Sequence, residues 1–132
     1  MTILIDASAF VAIVRREPGC MQLAIAIDAD PDRLTSSIAL LKAARALGRP
    51  PAKGIAKRMV EAVRYCTALD ILIVPFDAVE SREATRVHDR YGKGAGHPAR
   101  LNMGNGFTHA CAKTHEARLL YKGDDFIHTD LG

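Results

Sequence analysis

Short apolar runs alternate with stretches of helical spacing along the whole chain. Ile3-Leu4-Ile5 is the first run; it stops at Asp6, followed by the small residues Ala7-Ser8-Ala9. Leu119-Leu120-Tyr121 is the last and stops at Lys122-Gly123-Asp124-Asp125-Phe126. Ile71 to Pro75 is a third such run, and Arg33 to Ser36 reads as a short second strand. Short, wholly apolar runs closed by small or turn residues predict strands buried on both faces of a parallel sheet. The segments between them predict helices. One covers Ala9 to Arg15 and is broken by Pro18-Gly19; the next covers Cys20 to Ala29 and ends at Asp30-Pro31-Asp32. Ser36 or Ser37 caps a helix through Ile38, Leu41 and Leu47, which stops at Gly48-Arg49-Pro50-Pro51. Ala52 to Leu69 is the longest candidate, with Ile55, Met59 and Val63 on one stripe. Asp77 caps a helix to about Arg90, a glycine-rich basic loop spans Tyr91 to Leu101, and Gly104-Asn105 opens a last helix to about His115. Strands alternating with helices predict an α/β fold in which helices flank a parallel sheet, with residues 1–132 forming one domain.

Composition narrows the class of function. Hydrophobic residues make up 48% of the 132, enough for a core. Aromatics are only 5% with no Trp, which argues against a surface that stacks single-stranded bases. A net charge of +3 permits a polyanionic partner without demanding one. Cys20, Cys66 and Cys111 are odd in number and widely spaced, which excludes a thiolate zinc site and fits a reducing compartment. His88, His115 and His128 have no zinc-site spacing either. Met1 leads straight into a strand and no apolar run approaches membrane-spanning length, so the expected setting is cytoplasmic, away from membranes.

The chemistry lies at the strand ends. In a parallel sheet ligands bind at the carboxyl edge, so two strands that both end in Asp bring distant carboxylates into one crevice. Crowded carboxylates repel, and a divalent cation is the usual compensation. A metal-dependent acidic site follows as the first hypothesis, with Asp6 as an ordinary strand-end cap as the alternative. A receiver-type α/β domain also has acids at strand ends, but no acid pair follows the first strand here.

Three segments resemble a known family: residues 3–9, the stretch Gly96-His97-Pro98-Ala99-Arg100-Leu101-Asn102-Met103-Gly104-Asn105-Gly106-Phe107, and residues 119–126. In order, spacing and total length they are similar to the PIN-domain ribonucleases of the VapC toxin family. Ser36 to Ala44 resembles that family's first core helix. The resemblance implies a PIN-like three-layer fold, cleavage of structured RNA such as transfer RNA with magnesium or manganese, a cognate antitoxin, and a homodimer. Asp6 matches one of its acidic positions and the pair Asp124/Asp125 another, either member of which can face the site. Two positions depart from its pattern, Lys42 standing where the family has an acid and Asn105 where it has another.

These departures bear on the metal. Asp6 can supply a direct ligand and Asn105 a neutral oxygen, whereas a protonated Lys42 cannot ligate and opposes a cation. Lys42 either pairs in the site with Asp6 or Asp124, replacing the metal, or carries its ammonium out to solvent. Asn105 is equally a helix N-cap. Weak or absent metal binding is therefore expected of this chain. Ser8 is a candidate substrate-binding residue that could hold a water or the Asp6 carboxylate, or else a cap for the following helix. Arg90, Lys93, His97 and Arg100 around the glycine-rich loop are candidates for holding phosphates, with a plain solvated loop as the alternative. His109, four residues after Asn105 and so on the same helix face, reads as a partly buried structural histidine, with contact to the crevice as the alternative. Two functions stay open: a toxin-type endoribonuclease, weakened by Lys42 and Asn105, and a degenerate PIN domain that binds antitoxin or RNA without cutting.

Overall fold

The structure, a computed structural model, describes residues 1–49 and 54–132. Four strands, β1 (Thr2–Ile5), β2 (Asp32–Ser36), β3 (Ile71–Val74) and β4 (Arg118–Leu120), form one sheet in the order β3-β2-β1-β4. Every pairing is parallel, with Leu4 beside Leu34 and Leu119, and Ile5 beside Leu120. Among the described residues six helices cover it: α1 (Ala7–Val14), α2 (Cys20–Ala29), α3 (Ser37–Leu47), α4 (Ile55–Ala68), α5 (Ala78–Tyr91) and α6 (Met103–Thr114).

Alternation along the strands sorts the core into two layers. Leu4, Leu34, Val74 and Leu119 pack with Ala84, Val87 and Tyr91 of α5, Ala110 and Cys111 of α6, and Phe126. Ile5 and Ile71 face the other way, onto Phe10 of α1, Ile27 of α2, Leu40 and Ala43 of α3, and Cys66 of α4. This is the three-layer α/β arrangement expected from the sequence.

Local signals place most boundaries. Gly19, at φ 89°, takes the left-handed conformation that lets α2 turn away from α1 at the expected Pro18-Gly19 break. The Ser36 hydroxyl accepts the Ala39 N–H at 2.9 Å and caps α3. The Asp77 N–H donates to Glu80 Oε2 at 3.0 Å, half of a capping box at the start of α5. The Arg33 guanidinium holds β2 to its neighbours by donating to the carbonyls of Asp30 and Leu69, both at 2.7 Å. The expected Pro50-Pro51 stop and the Ala52 start of the fourth helix lie outside the described residues; Gly54, at φ 118°, precedes Ile55.

Two of the three apolar runs depart from the expectation. The run at Ile71 does not form a strand buried on both faces: β3 is an edge strand and Leu72 is 62% exposed. β4 lies at the opposite edge, with Arg118 exposed and Leu120 half-buried. Only β1 and β2 are central, and Ile3, Leu4 and Ile5 are fully buried.

Candidate functional site

The carboxyl edge of the sheet gathers chain segments that follow three different strands. Asp6 ends β1 and caps α1. Its N–H donates to the Leu120 carbonyl at 2.9 Å, and its Oδ2 accepts the Ser8 N–H at 2.9 Å and the Ser8 hydroxyl at 2.6 Å. The Ser8 oxygen in turn accepts the Lys122 N–H at 3.0 Å. Ser8 is therefore not the cap of α1; its hydroxyl is committed to holding the Asp6 carboxylate and to tying it to the end of β4. Asp6 is 2% exposed, and its Oδ1 is buried without a hydrogen-bond partner. A buried carboxylate oxygen left unpaired is costly, and it is open to a further partner.

Asn105 occupies the third position of α6, not its cap. Asn102, with extended backbone, is the cap: its Oδ1 accepts the Asn105 N–H at 2.8 Å. Capping by Asn102 frees the Asn105 side chain for lateral contacts, and it makes two. Asn105 Oδ1 accepts from Lys42 Nζ at 2.7 Å, and Nδ2 donates to Asp125 Oδ2 at 2.9 Å. A chain Lys42–Asn105–Asp125 thus runs across the crevice from α3 through α6 to the turn after β4. Asp125 is the member of its pair in contact with this chain; Asp124, also exposed, makes no side-chain hydrogen bond among the described residues.

The expected pairing of Lys42 with Asp6 or Asp124 does not form. Among the described residues Lys42 has no ion pair, and its ammonium is bound by the neutral Asn105 amide. The reason is the packing of α3 on α6. A Cβ on Gly104 would lie 3.2 Å from both Cδ and Cε of Lys42, so the lysine stem runs over the place where any other residue would carry a side chain. That close approach delivers Nζ to the next residue, Asn105. Asn102 and Gly104 are contributors that the sequence reading missed, although an Asn three residues ahead of Asn105 is a legible capping signal.

These donors do not fit a divalent cation. Asp6 Oδ1 is available, but the Asn105 oxygen is neutral and already taken by an ammonium. Two unit charges about 4 Å apart interact by roughly 4 kcal/mol at an effective dielectric of 20. A dication beside Lys42 is opposed on that scale for each of its charges, less what solvent screens. Among the described residues, no group of three or more His, Cys, Asp and Glu side chains is disposed to hold a metal ion.

The glycine-rich loop leads directly into the Asn102 cap. It is closed by a bridge between Gly92 and Leu101, with the Leu101 N–H donating to the Tyr91 carbonyl at 2.8 Å. Lys93 and Arg100 are exposed, and neither has an ion pair among the described residues. His97 folds back: Nδ1 accepts the Ala99 N–H at 3.1 Å and the ring meets Tyr91 edge-on at 4.9 Å. Arg90 lies over the Tyr91 ring at 4.8 Å. Gly94, Gly96, His97, Pro98 and Arg100 line an open depression of about 640 Å³. Among the described residues no hydrogen bond joins these loop side chains to Asp6, Lys42, Asn105 or Asp125.

His109 is structural, as expected from its place on α6. It is 1% exposed and its Nε2 lies 2.8 Å from Asp130 Oδ1, while Lys113 Nζ donates to Asp130 Oδ2 at 2.8 Å. The Asp130 N–H donates to the Tyr91 hydroxyl at 3.2 Å, which fastens the last residues to α5 as well. Burial pushes the His109 ring below its ordinary value, against the pull of Asp130. For Asp130 partial burial is outweighed by the hydrogen bonds from Lys113 and His109, which hold the carboxyl below the ordinary range. Both groups have folded-state values below their unfolded ones, so both contribute stability that is present at neutral pH and is lost in acid. Asp130→Ala is expected to cost about 1–3 kcal/mol at pH 7, mostly from the unpaired buried imidazole. The cost should begin to shrink once the pH falls below about 4, where an unfolded carboxylate takes up its proton, and should vanish only further into acid, where the folded Asp130 does so as well. Urea unfolding of both proteins at pH 7 and pH 3.5 checks this, and a gap that does not narrow would be the contrary result.

A four-stranded parallel sheet with helices on both faces and a buried aspartate, Asp6, at the end of its central strand β1 goes with the family found: the PIN domain family model matches residues 3–131. Ribonuclease VapC42 of Mycobacterium tuberculosis is 34% identical over 131 residues, covering 97% of this chain and 95% of that protein. A VapC ribonuclease of Rhizobium meliloti is 36% identical, covering 97% and 98%. The chain therefore belongs to the PIN-domain family, in its VapC branch. Among solved structures, the sarcin-ricin-loop-cleaving toxin VapC20 of M. tuberculosis shares the fold with a TM-score of 0.73 at 14% identity, over 96% of this chain and 93% of that one. A chain of a toxin–antitoxin complex from Klebsiella pneumoniae does so with a TM-score of 0.68 at 17% identity, over 98% and 93%.

Proposed function

We propose that the chain is a toxin-type endoribonuclease that cuts structured RNA. The observation that carries this reading is the Asp6 carboxylate, buried at the end of β1 with one oxygen unpaired and the other held by Ser8, in a chain 34% identical to a named VapC ribonuclease. Hydrolysis adds a water oxygen to phosphorus and releases an ester oxygen, which takes up a proton. Asp6, Asp124 and Asp125 are the acids this reading assigns to orienting the water and accepting its proton. Lys93, His97 and Arg100 are its candidates for backbone phosphates outside the cut. Binding of magnesium or manganese is weak or absent, because Lys42 and Asn105 stand where ligands would have to be.

One observation favours a second reading. The Lys42–Asn105 hydrogen bond puts a cation and a neutral amide at the two positions that depart from the family's acidic pattern, which suits a degenerate domain that binds RNA or antitoxin without cutting. A cognate antitoxin fits either reading: Phe10, Val14, Ala43, Leu47, Ala62 and Tyr65 line an apolar depression of about 180 Å³ across α1, α3 and α4. Val14, Val60 and Val63 are exposed nearby or along α4, the kind of surface that partners or a second copy cover. No helix among the described residues is long and apolar enough to cross a membrane, and a cytoplasmic setting goes with the RNA substrate.

The test is incubation of the purified chain with transfer RNA and with ribosomal RNA hairpins, in magnesium, in manganese and in EDTA. Discrete cleavage at a single site supports the nuclease. Intact RNA under all three conditions, with RNA or antitoxin still bound, supports the second reading.

A further inference from the structure

We infer that Lys42 holds an RNA phosphate directly in the crevice, its ammonium serving where a divalent cation would otherwise bridge carboxylates and phosphate. This rests on the reading of the crevice as an RNA site. An ammonium has three N–H donors, and among the described residues only the bond to Asn105 Oδ1 is formed. The side chain is half-buried, its stem is laid against Gly104, and it has no ion pair among the described residues. A fixed, uncompensated cation in a crevice attracts an anion, and lysine serves phosphate as a point charge.

The charges around Lys42 decide what can bind there. Asp6 and Asp125 stand at the same edge and repel any anion, so binding needs a cation set among them. The neutral amide of Asn105 joins the two signs, accepting from Lys42 and donating to Asp125 at 2.9 Å, and so holds the ammonium in place without discharging it. Exposed Lys93 and Arg100 lie on the loop that runs into the same helix start and add positive charge on the way to it. The crevice thus takes RNA without a divalent ion.

Fluorescence anisotropy with a labelled RNA hairpin, with the same samples run on a gel for cleavage, tests this. Binding by the parent chain should be equal, within about twofold, in EDTA and in magnesium. Lys42→Met should weaken it by about tenfold or more in both, the loss expected for one charge-assisted hydrogen bond. Lys42→Arg keeps the cation and should stay within a few-fold of the parent, which guards against a Lys42→Met chain that fails to fold. The double variant Lys42→Glu, Asn105→Asp should bind the hairpin well only with magnesium. Binding by the parent that tightens about tenfold with magnesium, or that ignores Lys42→Met in a folded chain, overturns the inference. EDTA-resistant, Lys42-dependent binding without any cleavage upholds it while removing the nuclease reading; cleavage with binding indifferent to Lys42 does the reverse.

Discussion

Asp6→Asn is expected to lower RNA cleavage by about two to four orders of magnitude, the range for losing a positioned acid–base group, equivalent to about 2.7–5.4 kcal/mol in the barrier. The change is nearly isosteric. Asn is as good an N-cap as Asp, so the Asn oxygen can keep accepting the Ser8 N–H and the start of α1 need not move. What disappears is the negative charge on a carboxylate whose Oδ1 is buried and unpartnered. Fold and function therefore separate in this variant: circular dichroism and the thermal transition should stay close to the parent while the cleaved fraction collapses. Initial rates on one hairpin substrate at matched protein concentration supply the comparison. Activity within about threefold of the parent would mean that Asp6 is a cap and nothing more.

Phe126→Ala should be the most damaging core substitution near the site, at about 3–5 kcal/mol, the usual range for removing a buried aromatic. Phe126 is 1% exposed, packs in the layer with Leu4, Leu119 and α6, and meets the Tyr121 ring at 5.1 Å. Its carbonyl accepts the Thr129 N–H at 3.0 Å and the Thr129 hydroxyl at 2.8 Å, so the ring anchors the whole turn after β4. Asp125 is the preceding residue, and its bond to Asn105 depends on that anchor. Since domains of this size have about 5–15 kcal/mol in total, the variant should be close to unfolding at 37 °C. Chemical denaturation at 25 °C measures the loss; a loss below about 1 kcal/mol would show that the turn is held by other contacts.

Much of this architecture was legible in local patterns. Ile3-Leu4-Ile5 and Ile71 to Pro75 read as strands because an apolar run of that length has few other stable outcomes, and both form strands. The Pro18-Gly19 break, the Ser36 cap and the Asp77 cap act within three or four residues of themselves, so their meaning is independent of the rest of the fold. Asp6 at a strand end was equally visible, since a parallel sheet sends every such residue to one edge.

What the tertiary structure alone decided is who meets whom. Whether a strand is central or at an edge depends on sheet order, which no run encodes by itself; hence the exposure of Leu72 on β3. The cap of α6 fell to Asn102 instead of Asn105 because both residues are suited to capping and only the chain's path out of the glycine-rich loop chooses between them. Asp125 rather than Asp124 reaches the crevice because Phe126 beside it is driven into the core. Lys42 and Asn105 are 63 residues apart, and their pairing exists only because Gly104 lets a lysine stem lie against the start of α6. Periodicity and capping are short-range forces and can be read along the chain, whereas the charge balance of the crevice is a sum over side chains that only packing brings together.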